Sequence, residues 1–184
     1  MLVDHSTDKL HNAIAYFVAN TRFCGKTKLY KLLYFLDFEH YSETGRSVTS
    51  LEYFAWPMGP VPVSVHNQID DCDSSLHELF EIKTRESASG YQIFEFVPEF
   101  EFDGSNFSRR ELRILSQLAT EYECAVADDM VEATHLENLP WDRTYNQLGL
   151  RQQSIPYKLA LKPSEADEMN RLISENEDFG ENYR

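Results

Sequence analysis

The sequence predicts an α+β fold, mostly helical, organised around one buried central helix with a small antiparallel β-hairpin. Three observations predict it. Residues 26–41, KTKLYKLLYFLDFEHY, contain no Pro or Gly and are apolar over most of a helical circumference, so several elements must pack around them. Residues 81–97 hold two strand-like runs about the polar turn Ser87-Ala88-Ser89-Gly90. Ser108-x-x-Glu111 and Ser164-x-x-Asp167 are capping-box signatures that open helices.

In chain order, Ser6 or Thr7 caps a first helix over 8–19, with Leu10, Ile14, Phe17 and Val18 facing inward. In the central helix, Leu29, Leu32, Leu33, Leu36 and His40 share one face, beside a stripe of Tyr30, Tyr34, Phe38 and Tyr41. Lys28, Lys31 and Glu39 form the narrow wedge expected to be solvated, and Gly45 supplies the left-handed stop. Residues 48–56 favour an extended segment through Tyr53, Phe54 and Trp56. Three prolines and a glycine in Trp56-Pro57-Met58-Gly59-Pro60-Val61-Pro62 impose a rigid turn. A helix over 61–80 follows, with Pro62 in its first turn and a kink or split near 72–75. In the hairpin, apolar residues on both faces of 91–97 suggest a strand covered on two sides. Helices then run over 108–123, with Leu112, Leu115, Leu118, Ala119 and Tyr122 inward, over 127–136, and from 164 to about 176. Residues 155–161 read as a loop or short strand.

With 184 residues, 42% hydrophobic and 13% aromatic, the chain is expected to be one domain over 1–184, with a short acidic tail at 177–184. A net charge of -14 argues against nucleic-acid binding by the chain alone and against an anionic membrane surface, and suits a basic protein partner. No apolar run approaches the roughly 20 residues of a membrane span. The acidic start after Met1-Leu2-Val3 excludes a secretory signal, and Cys24, Cys72 and Cys124 are odd in number and scattered. Both features fit a reducing cytoplasm.

No phosphate-binding loop, nucleophile elbow or HExxH motif is present, and no catalytic, cofactor-binding or metal-binding residue is assigned. His66 and Asp70, four apart, can meet on one helical face, whereas Asp70 and Asp71 diverge by about 100°. This region is read as a solvated acidic face with a salt-bridged histidine. His135 sits at a helix end, where an imidazole commonly binds terminal carbonyls. Trp141 reads as a core or hinge residue, and Lys26, Lys28 and Lys31 as a solvated helix edge. The competing enzymatic reading is a small hydrolase or metal-dependent enzyme using His66, Asp70 and His135.

Four landmarks occur in order over roughly 8–161: the helix KLYKLLYFLDFEHYSETG, the stretch from Glu52 to Trp56, Met58-Gly59-Pro60-Val61, and Thr134-His135 followed by Pro140-Trp141. Together they resemble the Panacea antitoxin domain family, SocA-like; Pro57 and Met58 depart from the polar or aromatic residues more usual there. The resemblance implies a cytoplasmic, often phage-associated antitoxin that neutralises a cognate toxin by direct binding. In at least one subgroup it implies an adaptor presenting the toxin to a cellular protease. A toxin-dependent transcriptional co-regulator is a further alternative. Under the resemblance, the candidate toxin-contact or family-motif residues are Tyr34, Trp56, Met58, Gly59, Pro60, Val61, His135 and Trp141.

Overall fold

A computed structural model describes residues 5–72, 74–87 and 90–161. The helix expected from Ser164 and the acidic tail lie outside them. The fold is α+β. Helix α1 (Ser6–Asn20) begins at Ser6 without a side-chain cap. The central helix α2 (Lys26–Thr44) is buried on nearly every side, as its apolar circumference demands, and touches α1, α5, α6, β2 and β4. Gly45, at φ 72°, ends it by donating its N–H to the Tyr41 carbonyl at 2.8 Å.

The proline-rich stretch makes the expected turn, but residues 59–62 pair as a strand and the next helix begins at Val63, with Pro62 as its N-cap. Strand β1 (Tyr53–Trp56) turns back through Pro57-Met58 into β2 (Gly59–Pro62), pairing Trp56 with Gly59 and Tyr53 with Pro62. The opposite edge of β1 bonds the 152–155 segment: Ala55 N–H to the Gln153 carbonyl, and Ile155 N–H to the Tyr53 carbonyl. Tyr53 and Ala55 therefore point their backbone groups away from β2. Their partners Pro62 and Pro60 fall where a missing N–H costs no ladder bond. Helix α3 (Val63–Asp70) follows, and the expected split separates it from α4 (Ser75–Leu79).

The expected hairpin forms from β3 (Phe80–Glu86) and β4 (Gln92–Pro98), pairing Phe80 with Pro98 and Glu86 with Gln92. Of β4, only Phe96 is buried, so the strand is not covered on both sides. Helix α5 (Arg109–Glu121) carries its capping box: Glu111 N–H donates to Ser108 Oγ at 3.2 Å, and Ser108 N–H to Glu111 Oε2 at 2.6 Å. Lys9 Nζ also reaches Glu111 at 2.7 Å, tying α1 to α5. The short helices α6 (Ala127–Thr134) and α7 (Pro140–Asp142) lead into a π-turn over Arg143–Gln147 and, after the strand-like pairing of Ser154 with Phe54, a 3-10 turn at Tyr157–Ala160. No described helix is long and apolar enough to cross a membrane.

Candidate functional site

A helix buried on all sides leaves its polar residues nowhere to go but inward. Lys28 and Lys31, expected in a solvated wedge, are each 1% exposed, and of that wedge Glu39 alone reaches solvent. Asp37, which sequence reasoning passed over, is fully buried. Its carboxylate accepts the Val48 and Thr49 N–H groups at 2.8 Å each, the Tyr53 hydroxyl at 2.7 Å and the Thr49 hydroxyl. Burial pushes the Asp37 carboxyl up, against the pull of these donors. The hub fixes the chain where it leaves α2 and enters β1. The signal for it was an acid set between Leu36 and Phe38 on the apolar part of the helix.

Lys28 reaches the junction of α1, α5 and α6. Its Nζ donates to the carbonyls of Arg22 (2.8 Å), Tyr122 (2.6 Å), Glu123 (3.3 Å) and Ala125 (2.8 Å). Three of these follow α5, whose terminal carbonyls lack helical partners. Lys31, one turn on, reaches β2, where its Nζ donates to the Pro60 carbonyl at 2.9 Å. Burial pulls the Lys31 ammonium down to about 7.

Gly59 makes this approach possible. It sits at φ +99°, and a Cβ there would lie 2.7 Å from Lys31 Nζ and 2.8 Å from Thr134 Oγ1. The β1–β2 turn is thereby clamped between α2 and the end of α6. The clamp continues through Trp141, whose Nε1 donates to the Trp56 carbonyl at 3.0 Å. His135 does not bind helix-end carbonyls with its ring as expected. The ring stacks on Trp141 at 3.7 Å, and Trp141 stacks on Tyr145 at 4.8 Å. His135 Nε2 is buried with no hydrogen-bond partner among the described residues. Burial lowers the His135 pKa, Lys31 adds to this and Asp142 opposes it, so the ring is neutral at neutral pH.

The motif residues therefore divide. Tyr34, Gly59, Pro60, Val61 and Trp141 are buried, and Trp56 and His135 are half-buried. Met58, at the tip of the turn, is 61% exposed. His66 and Asp70 do meet, with Nε2 3.5 Å from Oδ2. Asp70 also pairs with Lys26, at 2.7 Å, and burial and Lys26 lower the His66 pKa against the pull of Asp70. Lys26 is thus an ion-pair partner, and of the supposed basic edge it alone retains a carboxylate contact. His66 packs on Tyr30 and Trp56, whereas His135 packs on Trp141. Among the described residues no group of three or more His, Cys, Asp or Glu is placed to hold a metal ion.

The clamp joins the same four landmarks, in the same order, that the sequence displays. A family model described as antitoxin SocA-like, Panacea domain, matches residues 29–142, more than half of the chain. The chain belongs to the Panacea family. The matched span opens within α2 and closes with α7, so it contains Lys31, Asp37 and the whole β1–β2 turn. No curated protein and no solved structure matches the chain. Within this Panacea domain Gly59 and Pro60 lie against Lys31 of α2, and Trp56 is hydrogen-bonded to Trp141 of α7.

Proposed function

We propose that this chain is a cytoplasmic antitoxin, one domain over 1–184, that neutralises a cognate toxin by direct protein–protein contact and without chemistry of its own. The Panacea match over 29–142 carries the reading. Two features support it. The polar side chains of the motif face inward and are engaged in packing, where an acid–base pair would need access to substrate. The net charge of -14 favours a basic partner by steering and complementarity.

Co-expression with the product of the adjacent gene tests the reading. Growth should be rescued and the two proteins should co-purify. A toxic neighbour that is neither rescued nor bound would remove it. The amount of toxin in rescued cells then separates mechanisms: intact, bound toxin supports neutralisation by contact, and its disappearance points to delivery to a protease.

A further inference from the structure

A groove of about 800 Å³ is enclosed by the α1–α2 turn, strand β4 and the start of α6. None of the motif residues lines it. Its walls are tied together. The Arg22 N–H of the α1–α2 turn donates to the Glu123 carbonyl ahead of α6 at 2.7 Å. Gly25 lies so close to β4 that a Cβ there would stand 3.3 Å from the Phe94 carbonyl.

Two apolar wall residues are out of place by the rules of the backbone. Phe23 has a φ of +56°, in the left-handed region that glycine and asparagine tolerate and a bulky side chain does not. It is nonetheless an aromatic residue, 70% exposed, so core burial does not account for it. Val126 is the N-cap of α6, where a serine or aspartate would serve far better than a branched apolar side chain. It is 44% exposed. Neither the local backbone nor the core explains these two side chains; the groove that both of them line does.

The polar end of the groove is Lys26. Its Nζ stands over the Phe94 ring, 5.0 Å from the centroid. Asp70 Oδ1, at 2.7 Å, is its one hydrogen-bond acceptor among the described residues, so two of its three N–H donors have none there. Lys28 also lines the groove, but four carbonyls take its ammonium. Glu95, the one acid of the lining, follows Phe94 on β4 and so points to the other face of the strand, where it pairs with Lys83. Asp70, Asp128 and Asp129 do not line the groove.

We infer that this groove binds an amphipathic monoanion, an aromatic or acyl body that packs on Phe23, Phe94 and Val126 and a carboxylate that accepts from the Lys26 ammonium. An apolar pocket with a single directed cation suits both halves of such a ligand. The site stands on the groove alone and holds whether or not the chain is an antitoxin.

Calorimetry at neutral pH tests it, with naphthoate as the anion and naphthol as the uncharged probe of the same ring system. The parent should bind naphthoate saturably at one site, and naphthol about tenfold more weakly. Phe23→Asn and Val126→Ser should each weaken naphthoate by about fivefold or more. Their thermal midpoints should hold or rise, because each substitution suits its backbone position better than the native residue. Lys26→Met should bring the two probes to equal affinity, and Tyr91→Glu, which does not line the groove, should bind as the parent does. No saturable binding of naphthoate to the parent overturns the site. So does parent-like binding in either wall variant, or a midpoint lowered in both, which would make the two side chains servants of the fold. A preference for the anion that persists in Lys26→Met overturns the place given to the carboxylate.

Discussion

Lys28 and Lys31 are one turn apart on the same helix and equally buried, yet they serve two regions in different ways. At the junction of α1, α5 and α6, Lys28 gives its ammonium to four carbonyls. At the β1–β2 turn, Lys31 has one carbonyl, and His135 Nε2, without a partner among the described residues, lies in the same clamp. A saturated buried charge is a strut, whose loss strands every group it held. An undersaturated one is held by the packing around it, and is itself a cost that the fold carries. The difference teaches that burial alone does not rank polar residues by their worth to stability; the number of partners does.

Asp37 extends the saturated kind, so it should give the largest effect. Asp37→Ala leaves the Val48 and Thr49 N–H groups and two hydroxyls without their acceptor. The expected loss is about 3–5 kcal/mol, read from urea unfolding. Lys28→Met should follow, at about 2–4 kcal/mol, since the carbonyls after α5 lose their donor. If Lys28→Met is silent, solvent can replace the ammonium and the distinction between the two regions fails. Gly59→Ala comes next, at about 1–3 kcal/mol. It combines a left-handed φ with the approach of Lys31 and Thr134, and the flexible lysine end can give way in part.

The same distinction explains what the sequence made legible. The capping box at Ser108, the central position of α2 and the β3–β4 hairpin follow from short-range pattern, and each forms. The inward lysines were concealed because residue type and helical position suggested a solvated wedge, and their partners are up to 97 residues away; Asp37 was passed over. The proline-rich stretch was legible as a rigid turn with Pro62 beside the next helix, but not as a pair of strands. Its true fit depends on the pairing of β1 with the 152–155 segment, which settles the side on which N–H groups are needed. Of the clamp, the order of the landmarks was visible; the stacking of His135 on Trp141 and the role of Lys31 required the fold.

Lys31→Met gives the smallest expected loss near neutral pH and the sharpest test of the comparison. Replacing an undersaturated buried charge by an apolar chain of similar length should leave stability unchanged or raise it, by up to about 4 kcal/mol. The pH profile is more telling. The folded-state pKa of about 7 lies below that of the unfolded chain, near the ordinary lysine value of about 10.4. Between these values the unfolded chain binds more protons, so this group makes the parent more stable as pH rises, by up to about 1.4 kcal/mol per unit. Below pH 7 both states are protonated and the cost of burying the ammonium is present in full. His135 faces Lys31 across the clamp and also titrates low, so the parent should lose further ground on acidification. Urea midpoints of the parent minus those of Lys31→Met should therefore climb from neutral to alkaline pH. Parallel profiles would mean that the ammonium keeps its ordinary pKa, and that the turn is held by a strut of the Lys28 kind.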